Sequence, residues 1–168
     1  FMSSFSVSSL LASMFEGFSP EEKLLDAGAG VGSLTSAVVN EAMKSDCKRL
    51  GGTCYEISEE LHPYLTENLA ICSERAPYNN LGFRAEIIKK DFIASSIANL
   101  KSPTIKRYSK AILNPPYLKI GAKSEERALL RSVEIETGNL YSAFVALAIK
   151  QLEKGGELVA ITPRSFCN

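Results

Sequence analysis

Asn114-Pro115-Pro116-Tyr117 sets an amide, two imino acids and an aromatic ring in direct succession. A residue that precedes proline is held out of the helical region, and neither proline has an N–H with which to fold the turn back on itself. The Asn114 side-chain oxygen and the Pro115 main-chain oxygen are therefore two rigid acceptors, about where the two hydrogens of a planar amino group can meet them. Acceptors so fixed favour localising a ring-delocalised nitrogen lone pair, which is electrostatic preorganisation with no need of a histidine base. Tyr117 adds a π face for a base. The alternatives are a plain Asn-Pro turn or a polyproline ligand for an adaptor domain, and the adaptor fits poorly because the run follows a buried, strand-like stretch.

Three further segments end in groups that can hold a ligand. Asp26-Ala27-Gly28-Ala29-Gly30-Val31-Gly32 reads as a strand-to-helix loop in which Gly28 and Gly30 permit positive φ and let the backbone approach a ligand closely. Glu56 ends the next strand, where a carboxylate hydrogen-bonds a ribose diol. Asp91 ends the third and can accept from the exocyclic amine of an adenine, with Ile57 and Phe92 as apolar walls on its ring. Singly, the loop is a tight turn and each acid an exposed strand end or a helix cap. Together they describe a cavity for a nucleoside with a charged tail. The G-x-G-x-G spacing departs from the G-x-G-x-x-G dinucleotide fingerprint, which argues against a nicotinamide cofactor.

The elements that must position these residues alternate between strand and helix, the pattern of an α/β, doubly wound, mainly parallel sheet. Strands are expected at 23–26, 52–57, 83–88, 109–113 and 157–162. Helices are expected at about 33–43, at 59–73 with Pro63 in the first turn, and at 139–152. The last carries an apolar stripe of Leu140, Phe144, Leu147, Ala148 and Leu152, and Lys154-Gly155-Gly156 is expected to stop it. No element is assigned between the third and fourth strands. The polar stretch 119–137 is long for a loop and reads as a lid or binding loop. Residues 1–15, apolar at Leu10, Leu11, Met14 and Phe15, read as a short helix packed on the sheet edge.

With 45% apolar and 23% charged residues, the 168-residue chain fits one globular domain. No apolar run approaches the roughly 18 residues of a membrane span, and the first residues lack signal-peptide order, so a cytoplasmic protein with no membrane contact is expected. Cys47, Cys54, Cys72 and Cys167 form no C-x-x-C pair and His62 is the one histidine, so zinc is not expected and the thiols read as reduced and mostly buried. Lys+Arg and Asp+Glu both number 19, so no global positive field points to nucleic acid. Local clusters (Lys101, Lys106, Arg107, Lys110; Lys119, Lys123, Arg127, Arg131) read equally well as phosphate contacts or as solvated loop charge.

The glycine loop resembles motif I of the S-adenosylmethionine-dependent methyltransferases, and Asn-Pro-Pro-Tyr downstream of it looks like the amino-methyltransferase signature. The stretch from Gly138-Asn139-Leu140-Tyr141-Ser142-Ala143-Phe144 through Gly155-Gly156-Glu157 to Pro163 is similar to the gamma-type N6-adenine DNA methyltransferases of bacterial restriction-modification systems, where the cofactor motif also comes first. Leu10-Leu11-Ala12-Ser13-Met14 is similar to that family's N-terminal cofactor-contacting helix, with Ser6-Val7 where Thr-Pro is usual. The resemblance covers nearly the whole chain. It implies a Rossmann-like fold, C-terminally truncated, because the family continues through two further strands and a target-recognition domain. Residues 1–168 are then a partial catalytic domain of a longer protein.

The resemblance also implies the chemistry: transfer of a methyl group from S-adenosylmethionine to the N6 of an adenine in a specific DNA sequence, leaving S-adenosylhomocysteine, with no metal. Asp26, Gly28 and Gly30 would meet the methionine end of the cofactor, Glu56 its ribose, and Ile57, Asp91 and Phe92 its adenine, with Phe144 as a further wall. Asn114, Pro115, Pro116 and Tyr117 would hold the target base. The implied partners are double-stranded DNA with that adenine flipped out and a restriction endonuclease domain or subunit. The rival readings are a methyltransferase acting on a protein glutamine or on an RNA base, and a non-catalytic module that keeps the fold.

Overall fold

The structure, a computed structural model, describes residues 5–164. In chain order the elements are α1 (Phe5–Ala12), β1 (Glu21–Ala27), α2 (Ser33–Ala42), β2 (Arg49–Tyr55), a 3-10 turn (Glu59–Leu61), α3 (His62–Arg75), a second 3-10 turn (Ala76–Asn79), β3 (Gly82–Ile88), α4 (Phe92–Leu100), β4 (Tyr108–Leu113), α5 (Glu125–Arg131), α6 (Leu140–Lys150) and β5 (Leu152–Ala160). The strands form one parallel sheet in the order β3-β2-β1-β4-β5.

A parallel sheet covered on both faces needs apolar residues on both, and alternation along a strand sends neighbours to opposite sides. Leu24 and Ile112 join α1, α2 and α3 in one cluster, whereas Leu25, Ala27, Ala111 and Leu113 join α4, α5 and α6 in the other. The architecture is the doubly wound α/β sandwich that the alternating pattern implied. Its strand order reverses between β1 and β4, and there the carboxyl ends of two neighbouring strands open a crevice.

Several local expectations change. Helix α4 fills the interval left without an element, and Asp91 is its N-cap, one carboxylate oxygen accepting from the Ala94 N–H at 2.7 Å. The 119–137 stretch is an ordered surface rather than a bare loop: α5 starts at Ser124, whose hydroxyl accepts from Arg127 N, and Ile120, Leu130 and Ile135 are buried. Helix α6 stops at Lys150, and Leu152 begins β5. The helix end is held by buried Gln151, which donates to Leu147 O at 3.0 Å and accepts from Asn99 at 2.8 Å. The glycines lie inside β5, where the pairing jumps from Tyr108↔Leu152 to Lys110↔Glu157 and Gly155 takes φ 81°. They make a bulge rather than a helix stop.

On α1 the buried face is Ser8, Leu11 and Ala12, and Phe15 just after the helix is buried too, while Leu10 and, past the helix end, Met14 face solvent at 64% and 60% exposure. The helix packs on α2 and touches the edge strand β5. Cys47, Cys54 and Cys72 are buried free thiols, and Cys167 lies outside the described residues.

Most of the basic clusters are committed internally. Lys106 pairs with Glu86, Arg107 donates to the carbonyls of Lys150 and Leu152, and Arg127 and Arg131 share Glu136. Those two guanidiniums hold the Glu136 carboxyl down at about 2. Lys110 is buried. Its Nζ lies 2.6 Å from Glu157 and 3.9 Å from Glu22, and 4.9 Å from the ring centres of Phe15 and Phe18. This node ties the segment after α1 to β1, β4 and β5.

Candidate active site

The register Ala27↔Leu113 ends β1 and β4 at the same level, so the chain leaves those strands side by side as Gly28 and Asn114. On the other flank, Gly28 N and Ala29 N donate to Tyr55 O at 3.0 and 2.8 Å, which pins the glycine loop to the end of β2. The loop needs its glycines: Gly28, Gly30 and Gly32 have φ of 81°, 58° and 86°. At Gly32 a Cβ would also stand 2.9 Å from Leu65 of α3, so α2 starts pressed against its neighbour.

Between these strand ends lies a cavity of about 500 Å³, within the range of small-molecule sites. From the glycine side it is lined by Gly28 and Gly30, from the β2 end by Glu56 and Ile57, and from the helical layer by Phe92 and Phe144. Asn114, Pro115, Pro116 and Tyr117 line the remaining side. Ten of the twelve residues singled out from sequence are thus brought together.

The other two sit apart from the lining. Asp91 caps α4, as described. Asp26 is fully buried beneath the loop, its Oδ2 accepting from the Thr35 hydroxyl at 2.6 Å while Oδ1 has no hydrogen-bond partner. Burial pushes its carboxyl from 3.8 up to about 7, Thr35 pulls it partly back, and the Glu56 charge adds to the rise. Between those two values the folded chain keeps a proton that the unfolded chain gives up. Stability should therefore decline as pH rises through that window, by at most about 4 kcal/mol. Asp26→Asn should flatten the decline in unfolding measured from acid to neutral pH; an unaltered slope would assign it to another group.

Glu56 is organised for recognition. The residue is 8% exposed, and its carboxylate accepts from Gly30 N at 2.8 Å and from Ser58 N at 2.7 Å, so two backbone donors aim it while it still lines the cavity. His62, nearly buried, meets the Glu56 carbonyl at 2.9 Å and steadies the same turn. Tyr55, Phe92 and Phe144 form a chain of rings with centroids 5.1 and 4.8 Å apart, an aromatic floor for a flat ligand. Tyr117 and Leu118 stand at 45% and 65% exposure on the Asn114 side.

Sequence reading missed Ser33, Leu34, Tyr55, Leu61, Lys90 and Leu118, all of which line the cavity. Tyr55 could have been found by alternation, since it shares a sheet face with Thr53 next to Glu56. The others are loop and helix-start residues with no periodic signal. A larger, more open groove of about 660 Å³ lies along the 3-10 turn and α3 and shares Ile57, but no strand-end ligand group except Ile57 reaches it.

The residues fit a cationic nucleoside cofactor: a close-approach glycine loop, an orphaned buried carboxylate oxygen, an oriented carboxylate and an aromatic floor. No cluster of metal-ligating side chains occurs among the described residues.

Comparison with known proteins agrees with this geometry. The chain is 56% identical over 169 residues to the Type II methyltransferase M.PstI of Providencia stuartii, covering 100% of this chain and 33% of that protein. It is 45% identical over 170 residues to the Type II methyltransferase M.BsuBI of Bacillus subtilis, covering 97% of this chain and again 33% of that protein. The chain thus spans about a third of the length of these relatives. Among solved structures, a class I S-adenosylmethionine-dependent methyltransferase from Listeria monocytogenes superposes with a TM-score of 0.72 at 14% identity, covering 99% of this chain and 48% of that one. The methyltransferase subunit of a type I restriction-modification system from Streptococcus thermophilus gives 0.67 at 16% identity, covering 98% and 34%. These likenesses establish a Rossmann-like methyltransferase fold. Residues 62–168, more than half of the chain and including the whole Asn-Pro-Pro-Tyr motif, match the model of one family, and the chain accordingly belongs to the Eco57I restriction-modification methylases.

Proposed function

We propose that the chain is the catalytic core of a DNA methyltransferase that uses S-adenosylmethionine to methylate the N6 of adenine within a specific sequence. The observation that carries this reading is the Ala27↔Leu113 register, which sets the Asn114 motif and the glycine loop on one cavity. Family membership and the relatives' names support it. The remainder of the reading is a restriction-modification system in the cytoplasm, with a nuclease partner acting on the same sequence.

The cofactor, when bound, supplies a methyl group on a sulfonium: the S–C bond breaks with its electron pair on sulfur as the N6 pair forms the new N–C bond. The chain's own residues bind and orient. Gly28 and Gly30 give backbone access to the methionine end, with Asp26 beneath them. The Glu56 carboxylate would take the ribose hydroxyls, and Ile57, Phe92 and Phe144 would enclose the purine. The Asn114 and Pro115 oxygens hold the two N6 hydrogens of the target base, Pro116 stiffens the turn, and Tyr117 stacks on the ring. The proton in excess on N6 after transfer leaves to solvent. A base within a duplex must swing out of the stack to reach this position.

Incubating the protein that carries this chain with labelled S-adenosylmethionine and DNA, RNA or protein should yield label in N6-methyladenine from digested DNA. Label confined to a protein glutamine or to RNA would overturn the assignment. The 168 residues alone, with 19 basic against 19 acidic groups and most clustered cations already paired, should bind duplex DNA weakly and methylate it little or not at all. Robust turnover by the isolated chain on plain duplex would contradict this.

A further inference from the structure

A ring that is to stack on a swung-out base must be held at a set angle, and at 45% exposure Tyr117 has little of its own surroundings to hold it. The ring it meets is Tyr141, on the first turn of α6. Their centroids lie 6.3 Å apart at 63°, an edge-to-face contact, and Tyr141 itself is buried at 9% exposure.

The backbone enforces the meeting. Leu140 N donates to Leu118 O and Ile120 N donates to Gly138 O, both at 2.8 Å, and Lys119 and Asn139 pair as an antiparallel bridge. The chain leaving the Asn-Pro-Pro-Tyr motif is therefore clamped to the chain entering α6. Three residues on from Tyr141, Phe144 lines the cavity, packs on Phe92 and stands 3.9 Å from where a Gly28 Cβ would be. One side of α6 thus touches the Tyr117 ring and, a turn later, the glycine-loop wall.

We propose that Tyr141 is a positioning residue for methyl transfer: its ring contact with Tyr117 fixes the orientation in which Tyr117 receives the target base. This rests on the reading of Tyr117 as the base platform. It assigns α6 a part in substrate recognition that neither the glycine loop nor the Asn114 motif supplies.

The test uses the whole protein and a duplex carrying 2-aminopurine at the adenine that the wild-type enzyme methylates. Tyr141→Leu should shift the fluorescence of the 2-aminopurine complex away from the wild-type value and, on the unmodified adenine duplex, raise KM for DNA about twofold to tenfold, the scale of one aromatic pair. S-adenosylmethionine affinity should stay at the wild-type value, and Tyr141→Phe, which keeps the ring, should restore both DNA readouts. Wild-type fluorescence and KM in Tyr141→Leu would overturn the proposal. So would a Tyr141→Phe protein as impaired as Tyr141→Leu, or a parallel loss of cofactor affinity, which would mark a merely structural role. A wild-type protein that leaves DNA adenine unmethylated overturns the underlying reading first, before any variant is made.

Discussion

Asn114→Ala should leave cofactor binding intact and reduce methyl transfer by at least about 100- to 1,000-fold, the cost of removing one preorganised partner of a reacting group. Asn114 follows the last residue of β4, whose buried strand is paired to β1 on one side and β5 on the other, and Ile161 N donates to Leu113 O at 2.9 Å. Truncating the amide therefore alters the acceptor and little of the frame that carries it. Cofactor affinity by calorimetry and turnover by label incorporation separate the two effects. A variant that binds cofactor and still methylates at a tenth of the wild-type rate or better would mean that Asn114 is not the acceptor, whereas loss of methylation with the biological effect intact would favour the reading of the chain as a non-catalytic module.

Lys110→Met should be strongly destabilising although it lies outside the cavity. Lys110 and Glu22 both have side chains at 3% exposure, so removing the cation leaves a carboxylate buried against Ser19 N and the Ser109 hydroxyl without a counter-charge. Breaking one side of a buried pair typically costs about 3–5 kcal/mol, a large part of a domain's net stability. Glu157 is partly exposed and can rehydrate, so the loss falls mainly on Glu22. Urea unfolding should show a lower midpoint with an unchanged slope, and the double change Lys110→Met with Glu22→Gln should recover much of it. A midpoint unaffected by the single change would mean that water already reaches the cluster.

The strands and the ends that carry the chemistry were legible because a two-sided parallel sheet writes itself as short apolar runs, each closed by a polar residue: Asp26, Glu56, Asp91, Asn114. What sequence concealed were the places where one residue serves two purposes. For Asp91 the sequence offers both a ligand group and a helix cap but no helix for it to cap, although Phe92, Ile93 and Ile97 keep a helical spacing and α4 starts at Phe92. Gly155 and Gly156 suggest a stop because glycine ends helices, yet here they let β5 shift register against Tyr108 and Lys110. Leu10 and Met14 belong to the apolar spacing by which the sequence predicts a short helix on the sheet edge, whereas the face of α1 turned inward includes the small residues Ser8 and Ala12. The cations of the second cluster were judged without Glu136, which lies within reach only after α5 turns the chain back.

The ring series Tyr55–Phe92–Phe144 belongs at once to the cavity floor and to the apolar interior beneath the sheet. If this cavity holds the methyl donor as proposed, enlarging it for a bulkier donor by trimming Phe92 or Phe144 would open a hole in the folded core. Ile57, 68% exposed at the β2 end of the same cavity, offers room without a core cavity, which makes it the natural first position for reshaping this site.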